Sequence, residues 1–187
     1  MVNIMGATPS PSAVLNFWFD EIEPKQWWVQ ADELDQQIKS RFGDLHRAAS
    51  CCELYSWRET TAGALAEIII LDQFSRNIYR NHPYAFASDA LALALAQTAV
   101  AIKVDHELDN IQRAFLYLPY MHSESQMIHK VAVSLFSKQG MEENFNFELQ
   151  HKAIIDRFGR YPHRNNILGR VSTPEEIDFL KISGSSF

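Results

Sequence analysis

Residues 60–80 read TTAGALAEIIILDQFSRNIYR, and the fold turns on whether this stretch is a helix or a strand. Ile68, Ile69, Ile70 and Leu71 are consecutive apolar residues, three of them β-branched, and a buried strand could show the same run. The flanking alanines and the polar tail of Asp72, Gln73, Arg76 and Asn77 favour a helix starting at Thr60 or Thr61. A helix apolar on most sides is buried on most sides, so this element is read as the central rod. Asp72, Arg76 and Arg80 stand at i, i+4 and i+8 along it, a polar stripe on an apolar rod. An aspartate four residues ahead of an arginine is a favourable pair. Buried, it must be paired and hydrogen-bonded, because a lone desolvated charge costs several kcal/mol. The stripe is therefore either part of a pocket wall or a structural ion pair.

Outward from this rod, helix signals repeat and strand signals are scarce. SPSAVLNFWFDE (10–21) offers Ser10 as N-cap and Pro11 at the first helical position, with Val14, Leu15, Trp18 and Phe19 at helical spacing. ADELDQQIKSRFGDLHRAAS (31–50) carries Leu34, Ile38, Phe42 and Leu45 on one stripe; Asp32 reads as its N-cap, and Asp35 adds negative charge to its first turn. A turn at Pro83 precedes an alanine- and leucine-rich helix from Ala85 to about Lys103, and DHELDN (105–110) breaks that pattern. The following helix is ended or kinked by Pro119. Ser123 or Ser125 caps the next one, and Gly140 stops it. MEENFNFELQHKAIIDRF (141–158) is amphipathic and ends at Gly159. A last helix starts at Thr173, with Pro174 in first position and Glu176 completing a capping box. The reading is all-α: about eight helices in antiparallel hairpins, one domain over 1–187, with no strand.

Composition narrows the function classes. The chain has 187 residues, 47% of them hydrophobic and 21% charged, with a net charge of −6. An acidic balance argues against nucleic acid, which calls for a basic face. Charge is uneven, however: residues 151–170 hold Lys152, Arg157, Arg160, Arg164 and Arg170 against Asp156 alone, a patch suited to a small anion. The two cysteines, Cys51 and Cys52, are adjacent and form no disulfide framework; they read as buried or half-buried hydrophobes in a reducing compartment. MVNIMGATPS (1–10) lacks the basic and apolar regions of a signal peptide, and ASDALALALAQTAVAI (87–102) is interrupted by Asp89, Gln97 and Thr98. The expectation is a cytoplasmic protein without a membrane segment.

LDQFSRNIYR (71–80), YLPYMHSES (117–125) and DRFGRYPHRNNILGR (156–170) together carry a family resemblance. VLNFWFDE (14–21), HPYAFASDALALALA (82–96) and STPEEIDFLKISGSSF (172–187) extend it over nearly the whole chain. The sequence resembles the bacterial proteins grouped as domain of unknown function 924. The resemblance implies an all-α fold related to tetratricopeptide-repeat hairpins, a right-handed array, and brings no activity with it. ALALAQTAVAIKVD (92–105) is similar to one helix of such a repeat, although the usual repeat signature is not obvious.

The remaining polar constellations define the site expectations. His122, Ser123 and Glu124 follow the Pro119 break and resemble half of an acid–base site or the hydrogen bonds of a helix start. Glu148 and His151 form one Glu-x-x-His, but the second copy that a di-iron bundle needs is missing, so no metal or other cofactor is expected. DRFGRYPHRNNILGR gathers arginine forks beside a chain turn, which suits a carboxylate or phosphate; equally, its arginines could cap helices and pair with Asp72, Asp89 or Glu124. The favoured reading is an interior groove lined by Arg76, Asn77, Arg113, His122, Arg157, His163, Arg164 and Asn165. It would hold a small anion or the carboxylate of a peptide or protein partner. The alternative is a hydrolase or lyase acting on an acidic substrate, with His122 and either Glu124 or Asp72 in acid–base roles.

Overall fold

The computed structural model describes residues 10–182, 184 and 185. The reading of residues 1–9 as carrying no signal lies outside the described residues, as does the very end of the family-like C-terminal stretch. The described residues form helices and turns without a strand: α1 (Pro11–Asn16), α2 (Asp32–Ser50), α3 (Thr61–Ile69), α4 (Ser75–Ile78), α5 (Asp89–Ala101), α6 (Asn110–Met121), α7 (Gln126–Phe136), α8 (Glu142–Phe158) and α9 (Pro174–Phe179). Single turns of 3-10 helix join several of them.

The decisive stretch is helical throughout. Every residue from Gly63 to Ser75 is buried, including Leu65, Ile68, Ile69, Ile70, Leu71 and Phe74. Six such side chains at about 1.5–3 kcal/mol each give a gross apolar stabilisation on the order of 10 kcal/mol. Tertiary burial on all sides is what overrides the β preference of the isoleucine run. Glu67 and Asp72 are the two charges sealed in this rod, and Arg58 neutralises Glu67 with a bidentate pair of 2.7 and 2.8 Å.

A π turn over Ile70–Phe74 separates α3 from α4. One extra residue per turn changes the facing of everything downstream. Arg76 still reaches Asp72, but the expected third member of the stripe is lost: α4 ends at Ile78, and Arg80 turns to Asp35 of α2, which Asn77 also donates to at 2.8 Å. Counted through the π turn, α3 and α4 are one rod, and the described helices number eight.

Packing gathers around that rod. α3 touches α1, α5 and α6; α2 packs on α4 and the π turn; α6, α7 and α8 pack in succession, with a further contact between α6 and α8. Ala92, Ala96 and Ala99 form the buried face of α5, and small side chains allow close approach to α3 and α6. A continuous core runs from Val14 to Met141, and a smaller one joins Ile154, Ile155 and Tyr161. Pro83–Ala101 has the length and mean hydropathy (1.3) of a membrane span. It is built into the bundle nevertheless: its alanine face packs on α3 and α6, and Asp89 is ion-paired.

Several local readings hold and several shift. Ser10 caps α1 with Pro11 following, Gly159 closes α8 in the left-handed region, and Thr173 and Glu176 form the reciprocal capping box of α9. Asp32 is the first residue of α2 rather than its cap. α5 starts at Asp89, not Ala85, because a 3-10 turn at Pro83–Ala85 precedes it. α6 carries Pro119 through to Met121. Cys51 and Cys52 are exposed, not buried, because α2 ends toward solvent there and Cys52 takes a positive φ of 61°.

The first turn of α3 lies tightly against the 3-10 turn Tyr55–Glu59. A Cβ on Gly63 would collide with the Trp57 carbonyl, a backbone group that cannot rotate away. Gly63→Ala should therefore destabilise by about 1–3 kcal/mol, although alanine is the better helix former. Urea denaturation would measure this, and a neutral or stabilising result would contradict the packing.

Candidate functional site

The polar interior begins at Asp72. Its carboxylate accepts from Gln73 Nε2 at 2.5 Å, faces His122 Nδ1 at 2.7 Å and lies 3.3 Å from Arg76 Nη1. A carboxylate can only accept, so His122 carries its proton on Nδ1 and presents the Nε2 lone pair. Nε2 has no protein partner among the described residues, and the His122 side chain keeps 16% exposure. The α6 end places this ring, because His122 is the C-cap of α6, not a helix-start residue.

Arg76 extends the network to α5. Its Nη1 donates to the Asp72 carbonyl at 2.6 Å and to Asp89 Oδ1 at 3.0 Å, and its Nη2 reaches Asp89 Oδ2 at 3.2 Å. The same Asp89 oxygen takes one long bond of 3.3 Å from Arg164 Nη1. Arg164 is buried, its Nε has no hydrogen-bond partner, and its carbon lies 4.6 Å from the ring centroids of both Phe86 and Tyr161. Two guanidiniums and two carboxylates thus meet beside His122, with no net charge among those four.

Burial and neighbours set the proton states. Burial pushes the Asp72 carboxyl up, but Arg76 and His122 outweigh it and hold the group below the usual carboxylate range. Burial, then Arg76, push His122 down, so the ring is neutral at pH 7. Burial and the proximity of Arg76 make the charge on Arg164 less favourable than in water. Burial also carries His163 down to about 4 and His151 to about 3.

Behind this layer lies a buried couple that the sequence reading passed over. His129 Nε2 faces the Ser123 carbonyl at 2.8 Å, so it must donate; Nδ1 faces Glu148 Oε1 at 2.7 Å. One further proton must therefore lie between Nδ1 and Oε1. Burial raises the Glu148 carboxyl, and its second oxygen has no partner. Glu148 is thus occupied by His129, while His151 Nδ1 faces the Phe147 carbonyl at 2.8 Å.

The expected ligand-binding residues divide. Arg76, His122 and Arg164 converge through Asp72 and Asp89, and His163 lies close enough for Arg164 and His122 to depress its pKa. Asn77 instead joins Arg80 on Asp35, beside a hollow of about 310 Å³ whose walls include none of those three. Arg113 donates to the carbonyls of Asp105 and Leu108, both at 2.7 Å, and bolts the α5–α6 turn. Arg157 lies at the surface, paired with Glu175 and stacked on Phe158. Asn165 belongs to a closed knot: it donates to Ser172 and Glu176 and accepts from Arg170, while Arg160 grips Glu176 at 2.6 and 2.8 Å. Glu124 is held by Arg170 at 2.6 and 3.0 Å and by the Tyr161 N–H at 2.8 Å. Of the late arginines, Arg164 alone turns into the His122 network. Asp89 and Phe86, absent from the expected lining, complete it; a lone aspartate in an otherwise apolar stretch was the available signal.

Comparisons with known proteins agree with the fold. The family described as "Bacterial protein of unknown function (DUF924)" matches residues 14–184, and the chain belongs to it. The solved structure of a protein of unknown function from Agrobacterium tumefaciens is similar at 34% identity with a TM-score of 0.87, covering 91% of this chain and 96% of that one. No protein with a curated description matches.

The depressed histidines make stability depend on pH. Below about pH 6.5 the unfolded chain takes up protons that folded His151 and His163 refuse until about 3 and about 4, so stability falls as pH falls through this window. Each should lose about 2 kcal/mol between pH 7 and 5, with His46 and His122 acting in the same direction. Urea midpoints across that range should drop accordingly, and His151→Gln should flatten the slope. A pH-independent midpoint would contradict the assigned proton states.

Proposed function

We propose that the protein binds a small anionic molecule at Arg164 and Arg76, with His122 held by Asp72 as a proton acceptor beside it. The observation that carries this reading is Arg164: a buried guanidinium with an unpartnered Nε and one bond of 3.3 Å. A buried cation that serves only as a bolt is expected to fill its donors; even the part-exposed Arg58 and Arg170 each meet a carboxylate through two nitrogens. An anion in the arginine plane would satisfy the empty edge and offset the desolvation. The anion is either a free small molecule or the carboxylate of a peptide or protein partner.

The hydrolase or lyase reading draws support from one feature, the Asp72–His122 pair. Asp72 fixes the tautomer and His122 Nε2 is the base, within reach of an acidic substrate held by the arginines. Glu124 fits this role poorly. Burial raises its carboxyl, but Arg170 and the Tyr161 N–H outweigh that and keep it ionised and occupied.

Thermal denaturation against acetate, succinate, inorganic phosphate and short peptides tests the binding reading. An anion at 100 times its Kd should stabilise by about 2.7 kcal/mol. Arg164→Met should abolish that gain, and because it leaves Asp72 and Asp89 against Arg76 alone it should also lower the stability of the ligand-free protein, read from the same curves without anion. Silence across the panel, or a stabilisation by anions that persists in Arg164→Met, would instead make Arg164 a structural bolt.

A further inference from the structure

We infer that the ligand is a monocarboxylate, and that it enters together with one proton, which settles on His122. This rests on the anion-binding reading and narrows it.

The shape of the vacant donor edge comes first. The Arg164 carbon stacks at 4.6 Å on the rings of Phe86 and Tyr161, so aromatic carbon covers the flat of the guanidinium. Nη1 is engaged by Asp89. What remains without a partner among the described residues is the in-plane edge made by Nε, which is buried, and Nη2, two parallel donors that match the two oxygens of a carboxylate. A phosphate oxygen pair would fit the same edge, but its further oxygens would face aromatic rings and Asp89.

Charge then separates the two anions. Asp72, Asp89, Arg76 and Arg164 already cancel. A phosphate group adds nearly two negative charges to a desolvated centre that contains two carboxylates. A carboxylate adds one, and one proton restores neutrality. The acceptor is at hand: the Asp72 carboxylate holds Nδ1–H, so Nε2 of His122 presents its lone pair and has no partner among the described residues. The groups facing this ring are Asp72 and Arg76 from the central rod, Asp89 from α5, His151 from α8 and His163 from the turn after it. In the ligand-free protein burial and then Arg76 oppose protonation, while Asp72 and Asp89 favour it; an anion on Arg164 adds to the second group. The proton comes from the buffer, and no bond in the ligand is made or broken.

Titration calorimetry at pH 7.5 in two buffers of different ionisation enthalpy provides the test. The probes are acetate, N-acetylglycine, a tripeptide with a free or an amidated C-terminus, and inorganic phosphate. Carboxylates should bind ahead of phosphate with uptake of about one proton, and affinity should rise about tenfold per unit fall in pH between the His122 values of the bound and empty states. In His122→Gln the uptake and the pH dependence should vanish. The free acids and the tripeptide distinguish a metabolite from a chain terminus as the source of the carboxylate. Phosphate binding in preference, carboxylate binding without proton uptake, or uptake unchanged in His122→Gln would overturn the inference while leaving the anion site in place. Failure of every probe to bind would remove both.

Discussion

The Asp89 carboxylate, shared by Arg76 and Arg164, is the interaction on which the polar interior depends. It joins three parts of the chain: the central rod, the start of α5 that packs beside it, and the turn after α8. Each arginine alone would be a desolvated cation, and Asp89 alone would be an anion in an apolar segment. Together with Asp72 they form a centre that is neutral but not fully hydrogen-bonded. That combination matters, because neutrality makes the burial tolerable and the open donors on Arg164 leave it chemically incomplete.

Two kinds of arginine emerge from the late basic stretch. Arg160 and Arg170 meet carboxylates as forks, at 2.6 and 2.8 Å and at 2.6 and 3.0 Å, and their partners Glu176 and Glu124 take further hydrogen bonds as well. These pairs hold the 165–173 segment between α8 and α9. Burial raises the Glu176 carboxyl, but the Arg160 fork comes first, and with the Thr173 N–H and Asn165 it brings the group down to about 2. Arg157 is solvated and stacked on Phe158. Arg164 differs from all three in lying deep, against rings, with its donors mostly unspent. The contrast gives the site reading its weight: the same short segment shows what a structural arginine looks like in this fold.

Much of the fold was legible because it follows from local rules. Burial of Ile68–Leu71, the Ser10 and Thr173 caps and the Gly159 stop are decided by one or two turns of chain. The pairing of Asp72 with Arg76 follows from helical spacing. What escaped was register and depth. The π turn at Ile70–Phe74 carries no signature in a run of apolar residues, and it moves Arg80 away from the stripe onto Asp35. Likewise, four arginines within fourteen residues look alike in sequence, because which of them turns inward depends on how the turn after α8 lies against Asp89 at the start of α5. The cysteine pair was misjudged for a related reason: composition says that cysteine is usually buried, while only the fold says that α2 ends toward solvent.

The same hydrogen-bond accounting separates the two histidines attached to carboxylates. His129 lies between a carbonyl that demands a donor on Nε2 and a carboxyl group on Nδ1, with no exposure on either side chain. The proton between Nδ1 and Glu148 is therefore part of the architecture, and it ties α7 to α8. His122 shares the His–carboxylate geometry at the same 2.7 Å, but its second nitrogen has no partner among the described residues and its ring reaches solvent. An imidazole bonded on both nitrogens cannot exchange a proton without breaking a contact that holds the helices. One bonded on a single nitrogen is oriented by that bond and remains free to react at the other. Of the two, His122 is therefore the one whose contacts leave a nitrogen for a proposed proton transfer, while His129 secures the wall behind it.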